Sequence, residues 1–225
     1  NILATSITII GIMVLIAKQL SASEFHRYYA FIIPYVLSNS ALLLMLVVSF
    51  RTKVKEVNTN NLMFLICLAA ANLPIFVSFF GATLSHPDPD LKVGMIASLL
   101  SLAAIPFYIP AVINLGRRIS ILPVASALET GGIYSFSRHP LYSTYIYWYV
   151  MQIFILQSWA ILAISIIQIA FQVCRARAEE DILEKNFPEY RNYKEQVLWI
   201  GRNPLYKKTD GALIGAGRMP GRKSI

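Results

Sequence analysis

The chain has 225 residues, of which 56% are hydrophobic and only 14% charged. Its mean hydropathy of +0.55 excludes an ordinary soluble domain, in which about a quarter of residues carry charge. The protein belongs in a bilayer, and its formal net charge of +8 needs a place at the membrane surface.

A helical span needs about 20 mostly apolar residues. Four segments approach that: Ile2 to Ala17, Tyr29 to Phe50, Leu62 to Phe80 and Leu91 to Leu115. The first lacks the basic leading region and small-residue cleavage site of a signal peptide, so it reads as a helix. The chain starts at Asn1 rather than Met, which leaves room for an upstream piece. A fifth apolar block, Leu141 to Val173, is too long for one helix and is interrupted by Gln157, Ser158 and Trp159. It reads as a tight hairpin of two short helices. Strands are excluded, because lipid-exposed backbone must satisfy its own polar groups and these runs lack the alternating polarity of barrel strands. The expected fold is an all-α, multi-pass integral membrane protein of about six helical segments, with a C-terminal helical hairpin and a cytoplasmic amphipathic helix.

Orientation follows from Lys and Arg. The loop after the second span carries Arg51, Lys53 and Lys55, and the loop after the third carries Asp88 and Asp90 against Lys92. The first therefore faces the cytoplasm and the second faces outward. Threading onward, Gly116 to Pro140, with Arg117, Arg118 and Arg138, returns to the cytoplasm, as does everything after Val173. The organisation expected is spans in 1–115, a polar functional region in 116–200 and a disordered basic tail in 201–225. Positive-inside bias and anionic headgroups account for that tail without nucleic acid. Membrane lipids are the expected partners, and oligomeric state is left open. Cys67 lies mid-span and Cys174 at a cytoplasmic helix end, so no disulfide is expected. No CxxC motif or histidine cluster suggests a metal.

Chemistry must then lie in two polar cytoplasmic stretches. Of His26, His86 and His139, only His139 is followed by a proline at the mouth of a helix. Pro140 suits a first helical turn, which sets Arg138 and His139 at a helix N-terminus where free amides favour an anion. The plainer reading is that both side chains snorkel to headgroups. In the second stretch, "CRARAEEDILEKNFPEYRNYKEQV", Arg175 and Glu179 share a helical face and Glu180 lies one step round. They form either an ordinary surface pair or a guanidinium and carboxylate able to bind the opposite charges of a zwitterion. Ile182, Leu183, Phe187, Tyr190, Tyr193 and Val197 fall roughly on one side, as in a helix lying on the membrane.

Three pieces, "LGRRISILP" (115–123), "LETGGIYSFSRHPLY" (128–142) and "RARAEEDILEKNFPEYRNYKEQV" (175–197), together resemble the isoprenylcysteine carboxyl methyltransferase family and its phospholipid N-methyltransferase relatives. The resemblance implies a membrane-embedded enzyme that uses S-adenosyl-L-methionine, held in a cytoplasmic pocket, to methylate a lipophilic acceptor. Residue by residue, it implies that Tyr134, His139, Pro140, Leu141 and Tyr142 line the cofactor pocket. Leu128 and Glu129 would contribute through backbone, Glu179 would bind a polar group of the cofactor, Arg175 would face the acceptor and Glu180 would support it.

The residue types suit that ligand. Its carboxylate, ammonium, ribose and sulfonium ask for an anion binder, a carboxylate and aromatic walls. Arg138 with His139, Glu179, and Tyr134, Tyr142 and Tyr145 supply them. Tyr147, Trp148 and Tyr149 read instead as an interfacial belt. An ionised prenylcysteine carboxylate needs alignment but no base. An amine such as phosphatidylethanolamine must lose a proton, which makes Glu180 or Glu179 candidate bases. The chain departs from the family pattern at Ser143 and Thr144, where glycine is common, at Glu129, and at Phe187–Pro188, where Pro188 should break the amphipathic helix. Two other classes stay open. Related sterol reductases use NADPH on a similar scaffold; the other class is a non-enzymatic scaffold or transporter, and against transport Leu91 to Leu115 has no ionisable residue beyond Lys92 at its edge.

Overall fold

The computed structural model describes residues 56–57, 61–84, 88–116, 124–125, 128–204 and 206. The two expected N-terminal spans, the loop from Arg117 to Pro123, His26, His86 and the basic tail beyond 206 lie outside the described residues. Within them the chain is helical, apart from one antiparallel pairing of β1 (Glu56–Val57) with β2 (Val124–Ala125), in register Glu56 to Ala125 and Val57 to Val124.

Helix α1 (Asn61–Leu84) includes Pro74. Helix α2 (Leu91–Ser101) begins where the Asp90 carboxylate accepts the amides of Lys92 and Val93 at 2.9 and 3.2 Å. This cap satisfies donors that have no partner inside the helix. A 3₁₀ turn, Leu102–Ala104, joins α2 to α3 (Ile105–Leu115). Pro106 explains the change of helix type. It has no N–H for the Leu102 carbonyl, which takes the Ile105 amide instead. At this junction the Ser101 carbonyl also accepts the Trp148 indole of a neighbouring helix at 2.9 Å.

Helix α4 (Pro140–Leu156) and helix α5 (Trp159–Asn186) are separated only by Gln157 and Ser158. Gln157 makes the break by adopting the left-handed conformation, with φ of 47°. Its side-chain amide is paired with the Asp90 backbone in both directions at 2.8 Å, which fastens the α4–α5 turn to the start of α2. Trp159, expected within the interruption, is the first residue of α5, and α5 runs well beyond Val173 to Asn186. The expected boundary at Val173 is absent because the polar run after it, Arg175 to Glu184, is also helix-forming. The break comes instead at Phe187–Pro188, and α6 (Tyr190–Gln196) follows.

Helix α4 packs against α2, α3 and α5, and α1 lies along α5. The main core gathers Tyr108, Ala111 and Val112 of α3 with Tyr134, Leu141, Tyr145 and Tyr149. A second cluster of Leu128, Tyr190, Tyr193 and Val197 seats α6. The segments 91–115 and 159–186 are each long and apolar enough to cross a membrane, at 25 and 28 residues. Tyr147, Trp148 and Tyr149 each make a hydrogen bond to a neighbouring helix. The Tyr147 hydroxyl donates to the Leu100 carbonyl at 2.7 Å, Trp148 to Ser101, and Tyr149 is buried against Gln172.

Candidate functional site

The site is built where the start of α4 meets the polar half of α5. Before α4 the chain turns through a 3₁₀ segment, Gly132–Ser135, which Gly132 enters with φ of +57°. A Cβ at Gly132 would lie 1.9 Å from Asn114 Nδ2, which itself donates to the Gly131 carbonyl at 3.2 Å. Only glycine admits this approach of the loop to α3. Pro140 then opens α4. No side chain caps this helix, so its first amides, at Leu141 and Tyr142, keep the anion-binding character of an open helix start.

Arg138 and His139 turn to Glu180. Arg138 Nη1 and His139 Nε2 both meet Glu180 Oε1, at 2.8 and 2.7 Å, and Lys194 Nζ reaches Glu180 Oε2 at 2.9 Å. The imidazole is 3% exposed and the Glu180 side chain 11%, so this cluster is nearly desolvated and its hydrogen bonds are strong. Lys194 also binds Glu184 at 2.6 Å, and that bond first, with Glu180 behind it, raises the ammonium above its ordinary range. One carboxylate of α5 thus holds together the loop before α4, α5 and α6.

Glu179 faces elsewhere. Tyr142 donates to Glu179 Oε2 at 2.7 Å, and the Arg175 guanidinium sits over the Tyr142 ring, 5.5 Å from its centre. Arg175 is buried and donates to Gln172 Oε1 at 3.0 Å, while Gln172 Nε2 donates to the Tyr149 hydroxyl at 3.0 Å. The Cys67 thiol of α1 is within hydrogen-bonding reach of Arg175. The Glu179 and Glu180 groups meet through an edge contact of His139 on Tyr142, with ring centres 5.6 Å apart.

The segment after α5 straps the α4 entrance. Tyr193 donates to the Tyr134 carbonyl at 2.6 Å, the Arg138 amide to the Leu198 carbonyl at 3.2 Å, and the Ser137 hydroxyl to the Trp199 carbonyl. The Trp199 ring lies 4.6 Å from His139, and its indole donates to Ser143 at 3.0 Å. Burial pushes the hydroxyls of Tyr134, Tyr190 and Tyr193 above the usual tyrosine range, helped at Tyr134 by the negative charge of Glu179.

The structure therefore brings together Tyr134, Arg138, His139, Tyr142, Arg175, Glu179 and Glu180. Pro140 is buried at the helix start, and Leu141 is buried in the core with Tyr134. Leu128 packs against α6 rather than facing an opening, and Glu129 accepts the Gly131 amide at 3.1 Å. Residues that the sequence did not assign to the site are Gln172, Tyr149, Cys67, Lys194 and Trp199. Gln172 had a signal, since it lies three residues before Arg175 on the same helical face; the others come from distant elements.

Residues 97–185 match a family model described as the isoprenylcysteine carboxyl methyltransferase family. The match begins within α2, upstream of the "LGRRISILP" motif, and stops before the α6 strap. The family region thus contains Arg138, His139, Tyr142, Arg175, Glu179 and Glu180, whereas Lys194 and Trp199, which brace them, lie beyond it. No curated protein matches the chain.

Proposed function

We propose that the protein is an integral membrane methyltransferase that uses S-adenosyl-L-methionine to methylate the carboxylate of a lipophilic, isoprenylcysteine-like acceptor. The observation that carries this reading is the pairing of Glu179 on Tyr142 with the buried Arg175 beside it, inside the region that matches a methyltransferase family. The donor set fits the cofactor. Glu179 is half-buried and has only Oε2 engaged by Tyr142 among the described residues, which leaves Oε1 for an ammonium or ribose hydroxyl. The open amides of α4 suit a carboxylate, and Tyr134 and Tyr142 offer aromatic surface to a sulfonium. When bound, S-adenosyl-L-methionine supplies a methyl group activated by the positive sulfur.

The side chains provide orientation and desolvation. Arg175 is fixed by Gln172 and by the Tyr142 ring, so its guanidinium meets an anionic acceptor already oriented. A carboxylate acceptor is ionised near neutral pH, and burial around Arg175 strips its water as it aligns. Glu180 holds Arg138 and His139 in place. Held by Arg138, Lys194 and the His139 imidazole, it is a poor proton acceptor, which favours the carboxylate over the amine of phosphatidylethanolamine. The family match likewise favours methyl transfer over NADPH-dependent reduction or a non-enzymatic role. In the membrane we propose about six helical segments, with α4 and α5 as a hairpin, the site on the cytoplasmic face, spans in 1–115, the catalytic region in 116–200 and a basic tail in 201–225.

Glu179→Ala should abolish cofactor binding measured by calorimetry on the purified protein. Unchanged affinity would remove Glu179 from the site.

A further inference from the structure

A second feature lies on the opposite face of α4. There an open cleft of about 310 Å³ runs between the α2–α3 junction and the strap, walled by Ala103, Phe107, Ile133, Phe136, Pro140 and Ile200. Ser143 and Thr144, the positions where the chain departs from the family's usual glycine, also line it. Their hydroxyls are turned back onto the carbonyls of His139 and Leu141, at 2.9 and 2.7 Å, so the wall they present is apolar. Tyr142 and Tyr149 project from the other side of α4 and bond to Glu179 and Gln172 of α5, so the cleft and the Arg175 site lie on different faces of α4.

Depth identifies the occupant. Phe107 and Ala103 lie eight and twelve residues before the end of α3 at Leu115, or ~12 and ~18 Å along the helix. One leaflet of a bilayer core is ~15 Å thick. At the surface end, the tight turn through Gly201, which pairs Val197 with Arg202, displays Leu198 and Ile200 beside Phe136, all exposed. Arg202 Nε donates to the Ser135 carbonyl at 3.2 Å. That bond pins an exposed guanidinium beside the rim, with no carboxylate paired to it among the described residues.

We propose that this cleft binds an anionic phospholipid, with one acyl chain along Phe107 and Ala103 and the phosphate against Arg202. Length, apolar lining and the cation at the polar end match a phospholipid at the cytoplasmic surface. Such a lipid would also brace the turn that carries Trp199 onto His139.

The test uses the full chain in nanodiscs of equal parts phosphatidylglycerol and phosphatidylcholine, with lipid retained after release into the gas phase counted by native mass spectrometry. The unaltered protein should retain phosphatidylglycerol at least fivefold over phosphatidylcholine. Ala103→Phe, at an exposed wall position, should cut retention of both about tenfold, and Arg202→Gln should remove the preference while leaving chain binding. Because a variant can misfold, the unaltered protein is also exposed to phosphatidylglycerol carrying a mid-chain diazirine. Adducts should map to 103–107, 133–144 or 200. Equal retention of the two lipids, retention indifferent to Ala103→Phe, a preference that survives Arg202→Gln, or adducts only elsewhere would each overturn the proposal.

Discussion

Replacing Glu180 by glutamine should expose how the site is held together. The side chain keeps its shape and one acceptor oxygen but loses the charge on which Arg138, His139 and Lys194 converge. Breaking a buried ionic cluster by removing one partner costs about 3 kcal/mol or more, and the partners should not share that cost equally. Arg138 and Glu180 are 12% and 11% exposed and 2.8 Å apart, so their charge-assisted bond should couple by about 1.5–3 kcal/mol. Lys194 is 37% exposed and also held by Glu184, so solvent screening limits its coupling to about 0.2–1 kcal/mol. Two double-mutant cycles measure this: Glu180→Gln with Arg138→Met, and Glu180→Gln with Lys194→Met. The readout is reversible unfolding in mixed micelles. A Lys194 coupling equal to or larger than that of Arg138 would refute the picture of a desolvated Arg138–His139–Glu180 core with Lys194 at its edge.

Gly132→Ala should cost about 2–3 kcal/mol, seen as a lowered Tm. The left-handed backbone alone accounts for ~1–2 kcal/mol, and displacing Asn114 from the Gly131 carbonyl adds ~1 kcal/mol. An unchanged Tm would mean that the loop is not clamped to α3. Alkaline pH should destabilise the fold. Tyr134, Tyr190 and Tyr193 stay protonated above the usual range when folded, whereas unfolded tyrosines ionise near ~10. Above that pH the unfolded state binds fewer protons and stability falls. Tyrosinate absorbance should therefore show a class of tyrosines that ionises only as the helices melt; free titration near pH ~10 with helicity intact would contradict it.

Much of this is legible in the sequence. Local chemistry marked the break after Leu156, because Gln157 and Ser158 interrupt an apolar run, and the break at Phe187, because Pro188 cannot continue a helix. Pro140 marked the start of α4 for the same kind of reason. The end assigned at Val173 failed, since a change from apolar to polar residues ends a membrane-buried stretch without ending a helix. Neighbouring carboxylates were also indistinguishable in sequence. Glu179 and Glu180 differ by one step round α5, and only packing sends the first to Tyr142 and the second to His139, Arg138 and Lys194. The cross-helix bonds of Tyr147, Trp148 and Tyr149 were not legible, because an interfacial belt and such bonds use the same residues. The carbonyls that claim Tyr147 and Trp148 lie at the end of α2, where Pro106 changes the helix type. Trp199 and Lys194 act on the site across long stretches of chain, which no local pattern records.

The most direct test of the account is incubation of the purified protein with methyl-labelled S-adenosyl-L-methionine and a panel of acceptors: a prenylated cysteine, phosphatidylethanolamine and a lipophilic thiol. Methyl transfer to the prenylated cysteine that base releases as methanol is the result expected of a carboxyl methyl ester. Label that resists base on the amine or the thiol, or no label on any acceptor despite intact cofactor binding, would contradict it.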